Sequence, residues 1–171
     1  MFYGRLRLRG ATGNSRAPLP VPMQVEYWST AGGNTGWVLN AADQCTAIPA
    51  TAVRAVTTPT NTWQGNIAPN PCRTKILPAG VISVSNGVFP LQLAAPGAAF
   101  SGSVQLSVNL NSVTDNTCTT IGSNPVAATN ANLPWLQGAW GGATYTQDPS
   151  AFVGFGVFTN TNKFIYQREN F

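Results

Sequence analysis

Short stretches in which apolar and polar residues alternate recur along the whole chain and constrain its fold more than any other feature. The cleanest is residues 103–111, whose even-numbered positions are aliphatic and whose odd-numbered positions are polar. In a strand these two sets occupy opposite faces. No segment shows the 3.6-residue period of an amphipathic helix. The pattern predicts an all-β chain, an antiparallel β-sandwich of about eight short strands.

Turn residues between the alternating stretches predict which strands pair. Residues 23–29 and 36–40 flank a Gly/Asn-rich segment and should form a hairpin. Residues 86–87 are Asn-Gly, which favours a two-residue turn with positive φ. A third hairpin is predicted for residues 151–159 and 163–167. The predicted sandwich is therefore built from local antiparallel pairs.

Three prolines at alternate positions, Pro18, Pro20 and Pro22, mark a strand of a special kind. Amides two residues apart face the same edge of a strand, so these prolines remove the hydrogen-bond donors from one edge only. This predicts an edge strand that resists pairing with a foreign strand. A short polyproline II ligand is the alternative interpretation.

Three cysteines lie in polar, loop-like surroundings. Cys45 and Cys72 fall in a predicted long loop at residues 41–77, and Cys118 falls in a second at residues 114–133. A Cys45–Cys72 bridge would close the first loop near its ends, so we expect that pairing, with Cys118 as the alternative partner. Bridged cysteines in loops are typical of exported proteins.

The residues of catalytic and metal sites are scarce. The chain has no histidine, five acidic residues and 8% charged residues in all. Ser-His and Cys-His catalysis and histidine-based metal sites are thereby excluded. The acids, Glu26, Asp43, Asp115, Asp148 and Glu169, stand on a strand, at turns or near the C-terminus, which favours structural roles. We expect no enzymatic activity and no cofactor or metal; whether Ca²⁺ binds is left open.

The basic residues are the first candidates for a binding surface, since the net charge is +4. Arg5, Arg7 and Arg9 alternate with leucines and should share one strand face. A solvated or lightly paired face is the expected role, and a stripe that binds phosphate or polysaccharide is the alternative. No nucleic-acid-binding motif accompanies them, so nucleic acid is not an expected partner.

Tryptophans are the second candidates. Trp28 and Trp37 lie in predicted strands and are expected in or beside the core. Trp63 and Trp140 lie in polar, glycine-containing segments and are candidates for exposure. Exposed indoles can stack on sugar rings, whereas a loop tryptophan can equally anchor its own loop on the sheet. A pair of coplanar exposed indoles would favour the sugar.

Several segments, in order, carry a resemblance to a known family. They are GRLRL at residues 4–8, LPVP at 19–22, the surroundings of Trp28 and Cys45, PWL at 134–136, DPSA at 148–151 and IYQRE at 165–169. Together they resemble the C-terminal domain of MshQ-like proteins of MSHA pilus biogenesis, a domain of the DUF6701 type. The segment GGATYTQ departs from the acid-rich loop of that family, which puts any metal binding there in doubt.

The resemblance implies a single domain over residues 1–171, the C-terminal module of a longer exported protein at the surface of a Gram-negative bacterium. It implies no catalytic residues. The chain contains neither a signal peptide nor an apolar run that could span a membrane. We expect a non-enzymatic, pilus-associated or adhesin-like module whose partners are other pilus or cell-surface proteins. A self-associating filament subunit and a carbohydrate-binding module that uses loop tryptophans are the alternatives.

Overall fold

The computed structural model of the protein describes residues 4–33, 35–55, 63–67, 70–111 and 113–156. Within them the chain forms sixteen short strands. These are β1 (Gly4–Leu8), β2 (Ala11–Gly13), β3 (Leu19–Pro20), β4 (Met23–Ser29), β5 (Gly36–Leu39), β6 (Ala47–Pro49), β7 (Val53–Ala55), β8 (Trp63–Gly65), β9 (Ile76–Leu77), β10 (Val81–Ser83), β11 (Val88–Phe89), β12 (Gln92–Leu93), β13 (Gly102–Val108), β14 (Asn116–Thr117), β15 (Val126–Ala127) and β16 (Ser150–Phe155). Short 3-10 turns lie at Ala31–Gly33, Ala50–Ala52 and Pro134–Leu136. Across these ranges no helix is long and apolar enough to cross a membrane.

One sheet is built around β4, which pairs antiparallel with β1, β5 and β11. Leu6, Leu8 and Val25 are buried on its inner face. The predicted hairpin of residues 23–29 and 36–40 is confirmed, because Trp28 of β4 lies opposite Trp37 of β5.

A larger, seven-stranded sheet is built around β13. β13 pairs with β16 along one side and with β7 and β8 along the other. Its alternation is confirmed at residues 103–106, where Val104 and Leu106 are buried and Gln105 is half-buried on the outward face, whereas the polar Ser107 and Asn109 are buried as well. β16 corresponds to the first strand of the hairpin predicted for residues 151–159 and 163–167. The second strand of that hairpin lies outside the described residues.

Buried side chains from both large sheets form one hydrophobic core, with Leu6 and Val25 on one side and Leu106 and Phe155 on the other. The prediction of an all-β, sandwich-like fold is confirmed. The strands outnumber the predicted eight because many have only two or three residues. One pair, β2 with β16, is parallel, where the sequence predicted antiparallel pairing throughout. β2 lies beside β16 because the chain leaves the first sheet after β1 and enters the second sheet as β2.

The proline-flanked strand is an edge strand, as predicted. β3 lies at the end of a three-stranded sheet and pairs there with β12. Leu19 and Val21 are buried, whereas the prolines that alternate with them are exposed. The Val21 N–H donates to the carbonyl of Leu91. The apolar side chains thus anchor a strand whose outer edge lacks donors.

The Asn-Gly turn also forms as predicted, with φ of 50° at Asn86 and 77° at Gly87. The residues on either side, Ser85 and Val88, exchange two backbone hydrogen bonds. The strands beyond them diverge, because β10 pairs with β6 while β11 pairs with β4. The turn therefore connects two sheets.

The prediction of two long loops is wrong. Residues 41–77 contain β6, β7, β8 and β9, and residues 114–133 contain β14 and β15. Ile48, Val53 and Ala55 from the first segment are part of the core. Strands of two or three residues are too short to show alternation, and their partners lie far away in the chain. Their pairing is set by the tertiary fold.

The predicted Cys45–Cys72 disulfide is wrong as well. Cys72 is bonded to Cys118, with 5.6 Å between their Cα atoms, and both side chains are buried. Cys45 is free and exposed, in a turn closed by hydrogen bonds from the backbone of residues 45 and 46 to Asp43. The Cys72 N–H donates to the carbonyl of Ser123, which holds the two bonded segments side by side. The disulfide therefore fastens the segment that follows β14.

Candidate functional site

The outward face of the first sheet carries a buried carboxylate, Glu26, held by three side chains. β1 and β4 place Arg5 directly opposite Glu26 and Arg7 opposite Gln24. Arg5 Nε donates to Glu26 Oε2 at 2.8 Å, and Arg5 Nη2 lies 2.6 Å from the same oxygen. Arg7 Nη1 and Gln24 Nε2 donate to Oε1 at 3.2 and 2.7 Å. These four residues form the Glu26 cluster.

Each oxygen of Glu26 thus has two donors, which uses the hydrogen-bonding capacity of a carboxylate. Its side chain is only 2% exposed. Burial raises the pKa of Glu26, but the hydrogen bonds from Arg5, Gln24 and Arg7 outweigh burial, so the pKa lies below its usual value. Glu26 is therefore ionised at neutral pH, and the cluster is saturated.

Aromatic side chains pack against this cluster. The guanidinium carbon of Arg5 lies 4.2 Å from the ring centroid of Trp37 and 4.7 Å from that of Trp140. Trp28 meets Trp37 edge-on, with centroids 5.5 Å apart, and Tyr145 lies 6.3 Å from Trp37. Trp28, Trp37, Trp140 and Tyr145 form the aromatic patch. Cation–π contacts order it, yet 41% of Trp28 and 36% of Trp140 stay exposed.

Trp28 departs from its expected place at the core. Alternation along β4 puts residue 28 on the same outward face as Glu26, so the indole is half-exposed. The Trp28 and Trp37 rings stand at 74° to each other, so they are not the coplanar pair that would favour sugar stacking.

The outward face of the second sheet carries a different charged group. Arg54 lies on β7, opposite Ser107 of β13. Its Nη1 donates to Asp115 Oδ2 at 2.9 Å, and its Nη2 lies 3.5 Å from Asp148 Oδ2. Gln137 Nε2 donates to Asp148 Oδ1 at 2.9 Å. Arg54, Asp115, Gln137 and Asp148 form the Arg54 cluster.

The Arg54 cluster is buried but not saturated. The side chain of Arg54 is 11% exposed and that of Asp148 is 5% exposed. Arg54 Nε and Asp148 Oδ2 are buried and make no hydrogen bond within the described ranges. Buried polar atoms in proteins are nearly always hydrogen-bonded, to protein or to ordered water, so these two atoms distinguish the Arg54 cluster from the Glu26 cluster.

An open cleft of about 620 Å³ borders this cluster. Hydroxyl and amide side chains dominate its lining, together with one guanidinium, one carboxylate and one indole. The lining residues are Arg54, Gln105, Ser107, Asn111, Val113, Gln137, Trp140, Gly141, Thr146, Gln147, Asp148 and Ser150. Its size falls within the range of about 300–1,000 Å³ that is usual for small-molecule sites.

Trp140 belongs to both regions, since it lines the cleft and packs against Arg5. Its segment is held by Gly138 and Gln147, whose backbones exchange two hydrogen bonds of 2.9 and 3.1 Å. A Cβ at residue 138 would lie 2.7 Å from the Trp140 ring, so glycine is required where the backbone passes the indole.

Of the candidate binding residues from the sequence, the structure brings Arg5 and Trp140 together. Arg7 joins the same face, where both arginines are ion-paired with the buried Glu26, more tightly than the solvated or lightly paired face expected from the sequence. Arg9 is exposed beyond the end of β1. The side chain of Trp63 lies outside the described residues.

Sequence reasoning missed the glutamines of the cleft. Gln105 had a usable signal, because it stands on the polar face of the best predicted strand. Gln137 and Gln147 had none, since their positions depend on how residues 137–149 fold back on the sheet. Asp148 was expected to close a turn and is instead buried in an ion pair. No group of three or more potential metal ligands occurs among the residues that the structure describes.

Comparison with known protein families identifies the family of the chain. The family model for the fourth domain of DUF6701 matches residues 2–170. No curated protein and no solved structure is significantly similar to the chain. Because the family match spans nearly every residue, this chain belongs to the DUF6701 family as a fourth domain of that type.

Proposed function

We propose that this domain is a non-enzymatic module of a pilus-associated or adhesin-like protein at the surface of a Gram-negative bacterium, of the MshQ-like type. The domain acts by holding another cell-surface component against the outward face that carries the cleft. The observation that carries the proposal is the open cleft, which Trp140 lines beside fixed polar side chains. A fixed, half-exposed indole next to placed polar groups is typical of binding surfaces.

An extracellular location is supported by the cysteines. The buried Cys72–Cys118 disulfide closes a segment of 46 residues. Such bonds persist in oxidising compartments and are rare in the cytosol. The resemblance of the sequence to MshQ-like proteins points to the same compartment.

A binding role without catalysis is supported by how the acidic side chains are used. Glu26 is held by two arginines and a glutamine. Asp115 and Asp148 both face Arg54. A hydrolase of the two-carboxylate type needs one carboxyl that donates a proton and another that attacks or activates water. These carboxylates neutralise guanidinium groups instead.

Surface exposure in living cells tests the proposal. In a bacterium that carries the natural gene, we expect an epitope tag on this domain to be cleaved by protease added to intact cells, while a periplasmic marker stays protected. Deletion of the domain should reduce attachment of the cells to other cells or to a surface. A tag recovered only in the cytoplasm, or unchanged attachment after deletion, would contradict the proposal.

A further inference from the structure

We infer that the cleft binds a neutral saccharide chain, with Trp140 as its stacking surface and the side-chain amides of Gln105, Gln137 and Gln147 as its hydrogen-bonding groups. This inference deepens the proposed function by naming the class of surface component that the module holds, and it rests on that function. It does not require the pair of coplanar indoles considered above, because a single indole, Trp140, beside fixed side-chain amides provides the stacking surface.

Each of the three glutamines is fixed at one end. Gln105 Nε2 donates to the Ser150 hydroxyl at 3.1 Å. Gln137 Nε2 donates to Asp148 Oδ1 at 2.9 Å. Gln147 Oε1 accepts from the backbone N–H of Gly141 at 2.8 Å. The orientation of each amide is therefore set before any ligand arrives.

The other end of each amide makes no hydrogen bond within the described part of the chain. Gln105 and Gln137 offer an acceptor, Oε1, and Gln147 offers a donor, Nε2. All three residues line the cleft. Sugar hydroxyls both donate and accept, so they match this mixed set. Because the amides are already fixed, little side-chain entropy is lost on binding.

Trp140 supplies the apolar surface that a sugar ring needs. It lines the cleft, and 36% of its surface is exposed. Its contact with Arg5, and the passage of Gly138 against its ring, hold the indole in place. A fixed indole can receive the C–H face of a pyranose while the hydroxyls at the ring edge reach the amides.

The charges at the cleft favour a neutral ligand. Arg54 and Asp148 are the charged residues in its lining, and they face each other. Arg54 is also paired with Asp115. No cation lining the cleft is left to attract a carboxylate, sulfate or phosphate, and an anionic ligand would meet Asp148.

Backbone pairing favours a saccharide over an extended peptide. Gln105 and Ser107 lie on β13, which is paired on both sides. Its N–H and C=O groups are therefore used within the sheet, and a peptide cannot add to it as a new strand. β13 therefore offers a ligand its side chains only, which suits a molecule that is rich in hydroxyl groups.

A glycan array that displays neutral, sialylated and sulfated oligosaccharides tests the inference, with the full chain as the probe. The neutral glycan with the strongest signal is then titrated by calorimetry against four variants. Trp140→Ala and Gln105→Ala alter the cleft. Trp28→Ala removes an equally exposed indole outside the cleft, and Gln44→Ala removes an amide that bonds Asn86 elsewhere.

We expect neutral glycans to bind, with affinity lowered about tenfold by Trp140→Ala and about threefold by Gln105→Ala, and changed less than about twofold by the two controls. The Gln105 variant keeps the test decisive if loss of Trp140 disturbs the packing around Arg5. Binding of acidic glycans alone, no glycan binding, or equal losses in the controls would overturn the inference. If the domain is still exposed on intact cells and needed for attachment, that outcome leaves the surface role standing with a different partner.

Discussion

The two outward sheet faces both bury a carboxylate beside arginine, yet they use their polar atoms differently. In the Glu26 cluster each carboxylate oxygen has two donors. In the Arg54 cluster, Arg54 Nε and Asp148 Oδ2 lack hydrogen bonds within the described residues. The first cluster packs against the aromatic patch, and the second borders the cleft. A cluster whose buried polar atoms are all bonded stabilises the fold more than one in which some of them lack partners.

The two clusters also differ in how the chain assembles them. The Glu26 cluster comes from neighbouring strands, β1 and β4. The Arg54 cluster joins β7, the residue before β14 and a segment near β16, with Arg54 and Asp115 61 residues apart. The Cys72–Cys118 disulfide lies directly after β14. A single strand pair therefore builds the Glu26 cluster, whereas three segments of the chain must meet to build the Arg54 cluster.

Removal of the disulfide should have the largest effect. For the 46-residue separation of Cys72 and Cys118, loop-closure entropy predicts that replacing both by serine lowers the free energy of unfolding by about 4 kcal/mol. Urea unfolding measures this loss, and amide hydrogen exchange should quicken in β14 before it does in β1. Cys45→Ser is the control and should leave stability unchanged. A comparable loss for Cys45→Ser would contradict the observed pairing.

Glu26→Gln should have the next largest effect. The substitution keeps the shape of the side chain but leaves Arg5 and Arg7 facing a neutral group, in a place where the acid is 2% exposed. Loss of one partner from a buried ion pair costs about 3 kcal/mol. Asp43→Asn is the control, since Asp43 closes its own turn, and should cost about 1 kcal/mol. Equal losses in thermal or urea unfolding would mean that the Glu26 cluster is not the stabilising one.

The pH dependence of the Glu26 contribution has a definite sign. Its folded-state pKa lies below the ordinary value of 4.5. The contribution is therefore complete above pH 4.5 and is lost as pH falls through the lowered folded pKa. The difference in unfolding free energy between the natural protein and Glu26→Gln should be constant near neutrality and shrink in acid. The pKa of Asp43 is lowered as well, but Asp43 is present in both proteins and cancels. A difference that grows in acid would contradict this account.

Asp148→Asn should have the smallest effect on stability, about 1 kcal/mol, because Arg54 keeps Asp115 as its partner. Urea unfolding of Asp148→Asn and Glu26→Gln under the same conditions measures the two losses in unfolding free energy side by side. A loss as large as that of Glu26→Gln would show that the Arg54 cluster stabilises the fold as much as the Glu26 cluster does.

The sequence predicts the fold where the signals are local. Residues 103–111 show alternation over nine positions, and the Asn-Gly turn and the proline edge strand each depend on a few adjacent residues. The sequence fails at β6 and β14, which have three and two residues and are placed by partners far away in the chain. The cysteine pairing fails for the same reason, since the order of cysteines in the chain does not state which segments meet in space.

The candidate site, like the fold, could be predicted only where the sequence signal is local. Strand alternation puts Arg5 and Arg7 on one face, but their position at Glu26 depends on the pairing of β1 with β4, which the sequence did not predict. Trp140 was recognised as a candidate from its glycine-rich surroundings. Its packing against Arg5, and the meeting of Arg54 with Asp148, join residues from different parts of the chain. No local pattern contains that information.

Side-chain NMR tests the central claim most directly, because it reports both regions in a single titration. ¹⁵N-labelled protein is titrated with the neutral glycan that binds best on the array. The indole N–H of Trp140 and the side-chain amides of Gln105, Gln137 and Gln147 are followed beside the indole N–H of Trp28. We expect saturable shifts in the four cleft residues and an unshifted Trp28 signal. Shifts confined to Trp28, or no shifts at all, would contradict the assignment of the cleft as the binding site.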